Sequence, residues 1–351
     1  MSSLLQNTVF GKQKHTSLIG DKYFSSNKWV GGILAPNGKI YFIPYNATQV
    51  LMLDPDTNAT SLIGSSYNSS EKWIGGVLAP NGKIYFTPYK ASQILMLDPI
   101  TNTTSLIGNT YSSSNTWGGC VLGQNGMIYF SPLDSAQILM LNPNTNITTL
   151  IGNNYNSFSK WGGGVLASSG MIYFSARNNP QILMLDPITN TTLLIGTSYY
   201  GTNKWDGGIL APNGMIYFTP FEASKVLMLD PTTNETSLIG NEYAGQYKWE
   251  NGVLAPNGMI YFTPRNSTHI LRLDPNTNTT SLIGGAYFGE GKWIGGTLAL
   301  NKKIYFAPLN AFQILMLDNV SDPNVMGADL EIPTHLSLLP QSNYNKYYNK
   351  Y

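Results

Sequence analysis

The sequence predicts an all-β fold assembled from seven copies of one unit, and two residue spacings carry that prediction. Every tryptophan of the chain belongs to one series with a constant step of 44 residues: Trp29, Trp73, Trp117, Trp161, Trp205, Trp249 and Trp293. A tyrosine series keeps the same step: Tyr23, Tyr67, Tyr111, Tyr155, Tyr199, Tyr243 and Tyr287. A constant step of this size indicates one supersecondary unit that is repeated along the chain.

Each unit contains four short segments with the composition of β-strands. In the second unit these segments read GGVLAP, KIYFTP, QILMLDP and TSLIG. Asn81-Gly82 separates the first two, and Asn-Gly supplies the positive φ angles that a tight hairpin turn needs. Asp98, Pro99 and Asn102 lie between the last two, where they favour a second turn. We therefore predict a four-stranded antiparallel meander, with strands a to d.

The way the chain begins and ends predicts how the seven meanders are arranged. Meanders that cover one another's faces around a central channel form a β-propeller. A segment of strand-d type, Ser17–Gly20, precedes the first strand a, whereas the last unit ends at Asp318 without one. We expect Ser17–Gly20 to pair with Gln313–Asp318 and close a seven-bladed ring, which removes the unpaired edge.

The domain prediction follows from this closure. An N-terminal extension covers residues 1–15, the propeller covers 16–318, and a C-terminal tail covers 319–351. The end of that tail reads QSNYNKYYNKY, a low-complexity composition that predicts disorder. Its bias towards Asn, Lys and Tyr suggests a viral or protist source.

Composition excludes several classes of protein. Charged residues make up 11% of the chain and the net charge is +1, which argues against a nucleic-acid partner. No apolar run has the length of a membrane span, and the N-terminus lacks the apolar core of a signal peptide. One cysteine, Cys120, permits no internal disulfide. We therefore expect a cytoplasmic protein, or one within an assembled particle.

The predicted topology places the variable connections on one face of the ring. Antiparallel strands put the a–b and c–d turns on one side, the turn face, and the d–a and b–c connections on the other, the variable face. Five charged residues of blades 4 to 6 fall near the variable face and are predicted to form a partner-binding or ligand-binding site, the charged sector: Arg177, Asp206, Glu222, Glu250 and Arg265. Opposed charges of this kind suit a peptide or a small polar ligand. Scattered surface charge is the alternative interpretation.

The repeated aromatic residues have two interpretations. They pack between adjacent blades, with Lys72 a solvated neighbour, or they form a shelf for sugars, with Lys72 beside Trp73, as in a multivalent lectin. The shelf would comprise Tyr67, Trp73, Tyr111, Trp117, Tyr155, Trp161, Tyr199, Trp205, Tyr243 and Trp249, with their counterparts in the remaining blades. A glycan partner therefore remains an alternative to a protein partner.

Signals for catalysis are sparse. No nucleophile motif or phosphate-binding glycine loop is present, and no cofactor or metal site is predicted. Asp206 and Glu250, one blade apart, are the pair on which a cation-dependent lyase or hydrolase would depend, but two carboxylates fall short of the ligands that Ca²⁺ needs. The glycine pairs, such as Gly75-Gly76, are expected to allow close packing around the axis.

The segments NGKIYF and LMLDPxTN, repeated from unit to unit, resemble kelch-type propeller repeats over roughly residues 16–318. The chain departs from the kelch pattern where Thr87-Pro88 replaces a glycine pair and where no Trp follows Asn102. The blades are also similar to those of streptogramin-lyase-like propellers. Proline stands where those proteins carry an acidic residue, as at Pro88, Pro220 and Pro264, so lyase activity is not implied. The sequence predicts a non-enzymatic scaffold for protein–protein interaction or structural assembly.

Overall fold

The computed structural model contains seven four-stranded antiparallel sheets arranged as a β-propeller, which confirms the predicted fold class. It describes residues 15–112, 116–318 and 320. All 28 strands assigned within those residues belong to the seven blades, and no helix occurs among them. Of the predicted N-terminal extension and C-terminal tail, the described parts are His15 and Val320 alone, so the disorder predicted for the end of the tail concerns residues outside the described part.

The strands follow the order a, b, c and d in every blade. Blade 1 contains β2 (Trp29–Leu34), β3 (Ile40–Pro44), β4 (Val50–Leu53) and β5 (Thr60–Ile63). Blade 2 contains β6 (Trp73–Leu78), β7 (Ile84–Pro88), β8 (Ile94–Asp98) and β9 (Thr103–Ile107). Blade 3 contains β10 (Trp117–Leu122), β11 (Ile128–Pro132), β12 (Ile138–Asn142) and β13 (Ile147–Ile151). Blade 4 contains β14 (Trp161–Leu166), β15 (Ile172–Ala176), β16 (Ile182–Asp186) and β17 (Thr191–Ile195). Blade 5 contains β18 (Trp205–Leu210), β19 (Ile216–Pro220), β20 (Val226–Asp230) and β21 (Glu235–Ile239). Blade 6 contains β22 (Trp249–Leu254), β23 (Ile260–Pro264), β24 (Ile270–Asp274) and β25 (Thr279–Ile283), and blade 7 contains β26 (Trp293–Leu298), β27 (Ile304–Pro308), β28 (Ile314–Leu317) and β1 (Thr16–Ile19).

Strand b forms the core of each blade. Every residue of β7, which reads IYFTP, is buried, and the equivalent strand of each blade shows the same pattern. Both faces of strand b are covered because neighbouring blades pack on either side of it. This double burial explains why the segment is continuously apolar rather than alternating. Strand d is mostly exposed at the outer edge, as in β9.

The ring closes as predicted. β1 pairs antiparallel with β28, and Thr16 lies opposite Leu317 while Ile19 lies opposite Ile314. This pairing completes blade 7, whose sheet then has four strands like those of the other blades.

The turns on the turn face hold adjacent blades together. Asn81 donates a hydrogen bond to the Tyr85 hydroxyl at 2.9 Å and another to the Pro143 carbonyl of the next blade at 3.0 Å. Gly82 has a φ of +77°, whereas the φ of Asn81 is not positive, so the turn uses one left-handed residue and not the predicted Asn-Gly pair.

The glycines of strand a allow the blades to approach closely at the axis. Each strand a contains a β-bulge shortly after its tryptophan, as between Trp73 and Gly76. A methyl group added to Gly295 would lie 2.7 Å from the Gly31 Cα of the next blade. This contact bears out the interpretation of the glycine pairs as packing residues.

Candidate functional site

The residue that follows strand b in each blade lies at the variable-face end of the strands, and these seven are termed the rim residues. They are Tyr45, Tyr89, Leu133, Arg177, Phe221, Arg265 and Leu309. The rings of Tyr45 and Tyr89 lie 6.0 Å apart, between their centroids. Leu133 and Leu309 are buried. The charge of this set is confined to blades 4 and 6, so the variable face is chemically asymmetric.

A lysine precedes the strand-a tryptophan in six blades, and its ammonium anchors a rim residue of the preceding blade. Lys72 Nζ donates to the carbonyl oxygen of Tyr45 at 3.1 Å, and Lys28 Nζ donates to that of Leu309 at 2.9 Å. The other four make the same bond: Lys160, Lys204, Lys248 and Lys292. The interpretation of Lys72 as a solvated neighbour is therefore wrong, because its ammonium satisfies buried carbonyl groups.

Burial has an electrostatic consequence for these lysines. All six side chains are at most 5% exposed. Removal from water disfavours the charged ammonium and lowers the pKa of each lysine to about 8. Their backbone N–H groups donate to the same rim carbonyls, so each bond across the blade boundary is doubled.

Blade 3 departs from the lysine pattern. Thr116 occupies the position and donates a hydrogen bond to Asp134 Oδ2 at 2.8 Å. Asp134 Oδ1 accepts another from the Ser159 backbone N–H at 2.7 Å. Asp134 therefore stabilises two connections on the variable face.

The repeated aromatic residues pack the blades and do not form an open shelf. Trp73 is 2% exposed, and its indole N–H donates to the Gln93 carbonyl at 3.0 Å. Tyr67 meets it edge to face at 5.1 Å and bonds Thr104 of the next strand d. The other pairs of the proposed shelf repeat this geometry, with tryptophans at most 2% exposed: Tyr111–Trp117, Tyr155–Trp161, Tyr199–Trp205 and Tyr243–Trp249. Sugar stacking on these tryptophans is excluded because their faces are covered.

The charged sector contains two ion pairs. Arg177 Nη1 lies 3.1 Å from Asp206 Oδ2 across the boundary of blades 4 and 5. Arg265 Nη1 lies 2.7 Å from Glu250 Oε2 within blade 6. Both carboxylates are buried, at 4% and 3% exposure, whereas the guanidinium side chains remain about a fifth to a quarter exposed. Asp206 also accepts a hydrogen bond from the Gly163 N–H at 3.1 Å.

Phe221 joins the two ion pairs. The guanidinium carbons of Arg177 and Arg265 each lie 5.1 Å from the centroid of its ring. Arg265 also lies 5.3 Å from the ring of Tyr247, which contacts Phe221 edge to face. Cation–π contacts of this kind hold a guanidinium plane in a fixed orientation.

The remaining acidic residue of the sector is connected through an amide. Asn203 Oδ1 accepts a hydrogen bond from Arg177 Nε at 3.2 Å, and its Nδ2 donates to Glu222 Oε1 at 3.2 Å. The structure therefore brings all five sequence-predicted residues into one connected network. Sequence reasoning missed Phe221, Asn203 and Tyr247, although Phe221 stands between the two arginines in the rim series.

The electrostatics of Glu250 reflect its position inside the ring. Burial raises the pKa of this carboxyl above its usual value. Arg265 acts in the opposite direction, and the negative charge of Asp206 raises the pKa further. The two carboxylates of adjacent blades therefore interact electrostatically.

The chemistry available for a metal or a nucleophile is limited in the described part of the chain. It contains no group of three or more His, Cys, Asp or Glu side chains placed to share a metal ion. Cys120 lies against the axis, and burial raises the pKa of its thiol to about 12, which keeps it protonated at neutral pH.

Comparison with known proteins supports the architecture. No family model matches the chain, and no curated protein matches it. The resemblance to kelch repeats therefore stays a prediction. Among the described residues, no helix has the length and hydrophobicity needed to cross a membrane.

Solved structures similar to this chain are themselves diverse. A streptogramin B lyase structure aligns with a TM-score of 0.69 at 18% identity, covering 86% of this chain and 96% of that one. An inactive virginiamycin B lyase from Staphylococcus aureus with quinupristin has a TM-score of 0.71 at 14% identity, covering 87% and 99%. A copper-bound fungal alcohol oxidase has a TM-score of 0.63 at 13% identity, covering 85% and 75%. At these identities the similarity establishes the propeller fold alone.

Proposed function

We propose that this chain is a non-enzymatic binding propeller that holds a protein partner on its variable face. The observation that carries the proposal is the charged sector with Phe221: two arginine–carboxylate pairs and a stacked ring, confined to blades 4 to 6 of an otherwise repetitive ring. Burying charged groups costs free energy even when they are paired. Buried ion pairs that occur in only a few of the repeated blades therefore favour a role in binding over a role in the fold.

Exposed aromatic side chains on the same face support a protein as the partner. Phe24 is 73% exposed and contacts Phe312, and further exposed rings lie in d–a connections: Phe158, Tyr200 and Phe288. Aromatic residues and arginine are the types enriched in protein–protein interfaces. In the described part of the chain, the aromatic side chains among the exposed large apolar residues all lie on this face, and such a grouping is typical of an interaction surface.

The arrangement of the carboxylates supports binding over catalysis. A general acid or base must be free to exchange a proton with its substrate. Asp206 accepts from Arg177 and Gly163, and Glu250 accepts from Arg265. A carboxylate that already accepts a hydrogen bond from a guanidinium group is better suited to fix the orientation of that group than to transfer protons.

The test is quantitative partner capture by immobilised protein. Two variants disrupt the variable face, Arg177→Ala with Arg265→Ala and Phe24→Ser with Phe312→Ser. A matched control removes exposed apolar groups from the turn face, where Ile100 and Ile188 are 93% and 88% exposed. We expect both variable-face variants to lose capture and Ile100→Ser with Ile188→Ser to retain it. Equal capture by all three, or loss in the control alone, contradicts the proposal.

A further inference from the structure

The inner strands line a half-open axial cavity of about 210 Å³, and its two sides differ in chemistry. Blades 1 and 2 contribute an apolar side, formed by Ile33, Ile43 and Ile74. Across the ring, blades 5 and 6 contribute three polar side chains, Asp206, Glu250 and Asn251. Most of the remaining lining is glycine backbone. At roughly 30 Å³ for each water, the volume corresponds to about seven water molecules, or one small organic molecule.

The two ion pairs of the charged sector direct their negative ends towards this cavity. Asp206 and Glu250 line it. Arg177 and Arg265 lie behind these carboxylates, at 3.1 Å and 2.7 Å, and are not part of the lining. The carboxylates are at most 4% exposed, whereas the arginine side chains are 19% and 26% exposed. Water therefore screens the positive ends of the pairs more than the negative ends, and the cavity favours a cation.

Asn251 breaks the glycine pattern of strand a at the cavity. The other six blades carry glycine at its position: Gly31, Gly75, Gly119, Gly163, Gly207 and Gly295. Asn251 has a φ of +58°, a backbone conformation that disfavours residues other than glycine. Its Oδ1 lies 2.3 Å from the position that a Cβ on Gly207 would occupy, so the carboxamide reaches the strand that carries Asp206.

Acceptor capacity remains on the polar side of the cavity. Within the described residues, Glu250 accepts through one oxygen, from Arg265, although its side chain is 3% exposed. The Asn251 carboxamide makes no hydrogen bond to the described residues. Buried polar groups are normally satisfied, so an unused carboxylate oxygen at a cavity indicates a missing donor. Together with Asp206, these side chains offer three acceptor groups, and a primary ammonium carries three N–H donors.

We infer that the axial cavity binds a small primary alkylamine in its ammonium form. The ammonium donates to Asp206, Glu250 and Asn251, and the alkyl chain contacts the isoleucines across the ring. No side chain of the lining is cationic, so the ligand needs no anionic group. This site goes beyond the proposed function, because it requires no protein partner and lies inside the ring.

Calorimetric titration of the full chain tests the charge and the donors of the ligand separately. The probes are pentylamine, pentanol, which lacks the charge, and pentyltrimethylammonium, which lacks the N–H donors. We expect pentylamine to bind in the millimolar range and each of the other two to bind at least about tenfold more weakly. No heat from pentylamine at about 10 mM, or equal binding of either analogue, overturns the inference.

Two competitors identify the source of the cation. The peptide acetyl-Gly-Lys-Gly-amide carries the same ammonium on a peptide backbone, and Ca²⁺ carries charge without N–H donors. Because the cavity has the volume of one small molecule, we expect neither competitor to displace pentylamine at about 10 mM. Displacement by the peptide would assign the cavity to a lysine of a protein, displacement by Ca²⁺ would assign it to a metal ion, and either result contradicts a free amine.

The variant Asn251→Gly separates binding from folding. It restores the glycine of the other blades, so the chain should fold normally, and pentylamine binding should weaken about tenfold because one acceptor for the ammonium is lost. Asn146→Gly is the matched control, because Asn146 has the same φ of +58° in the c–d turn of blade 3, on the turn face. Unchanged binding in Asn251→Gly, or weakened binding in Asn146→Gly, contradicts the assignment.

A second pair of variants fills the cavity without touching a charge. Cys120 lines it, so Cys120→Leu should weaken pentylamine binding at least about tenfold while Cys120→Ser retains it. Unchanged binding in a folded Cys120→Leu variant overturns the location. Phe24→Ser with Phe312→Ser, which tests partner capture, should leave pentylamine binding intact, so the two proposals fail independently.

Discussion

Arg177 of blade 4 donates a hydrogen bond from Nη1 to Asp206 Oδ2 of blade 5, at 3.1 Å, and so joins two neighbouring sheets. The carboxylate is 4% exposed, whereas the guanidinium side chain keeps 19% of its surface in contact with solvent. The pair is therefore unequal: Asp206 depends on Arg177 for its charge compensation more than Arg177 depends on Asp206.

Removing the arginine should cost more than removing the pair. Arg177→Gln leaves a buried carboxylate without its cation, and we expect a loss of about 3 kcal/mol in the free energy of unfolding. Adding Asp206→Asn should recover at least about 1 kcal/mol, because the uncompensated charge is gone. Urea unfolding of both variants measures the difference. A double variant less stable than the single one contradicts this account.

The sequence was sufficient for the architecture because the fold depends on local patterns that repeat. The 44-residue step, the Asn-Gly turn and the Asp-Pro turn each act within one unit, and the displaced strand Ser17–Gly20 reveals closure without any knowledge of side chains. The same reasoning placed Asp206 and Glu250 near the variable face, since topology alone sets which loops share a face.

The role of the lysines could not be read in the same way. Lys72 is polar and follows a loop, which favours a solvated position. It is buried because its ammonium donates a hydrogen bond to the Tyr45 carbonyl of the preceding blade. The distance between these two groups depends on how adjacent blades pack, which the local sequence does not reveal. The pairing of Arg177 with Asp206, and the stacking on Phe221, likewise depend on side-chain geometry across a blade boundary.

The buried lysines predict that stability rises with pH above neutrality. Their pKa is lowered to about 8 in the folded chain, whereas an unfolded lysine keeps a value near 10.5. Between these values the unfolded chain binds more protons, so the free energy of unfolding increases with pH, by at most about 1.4 kcal/mol per pH unit for each lysine. The contribution is complete above pH 10.5 and is lost as pH falls through 8.

The measurement is urea unfolding of the wild type and Lys28→Met between about pH 7.5 and about pH 9.5. We expect the free energy of unfolding of Lys28→Met to rise less over this range than that of the wild type, and the difference is the contribution of one buried lysine. Tyrosines whose pKa is raised by burial act in the opposite direction above about pH 10, and the comparison cancels them. Identical slopes for the two proteins contradict the prediction.

Two glycines with similar backbone angles separate conformational strain from packing. Gly82 has a φ of +77° and open space where an added methyl group would lie, whereas Gly295 has a φ of +68° and the Gly31 Cα at 2.7 Å from that position. Gly82→Ala should cost about 1 kcal/mol from the left-handed backbone alone. Gly295→Ala should cost about 1–3 kcal/mol more, because the blades must separate at the axis. Equal losses of melting temperature in the two variants would show that the blades separate at the axis at no cost in free energy, which contradicts the prediction.

A disulfide across the closing strands tests how much the ring depends on its two ends meeting. Ser17 lies opposite Met316, and Ser105 lies opposite Met96 in the equivalent register of blade 2. In a Cys120→Ser background, Ser17→Cys with Met316→Cys closes a loop of about 300 residues, and Ser105→Cys with Met96→Cys closes one of about ten. The repeat makes the local geometry of the two bonds equivalent, so strain contributes equally to both. The loss of chain entropy in the unfolded state predicts about 3 kcal/mol more stabilisation for the long loop. Denaturant unfolding of the oxidised and reduced forms measures this difference, and equal stabilisation would mean that the unfolded chain already holds its ends together.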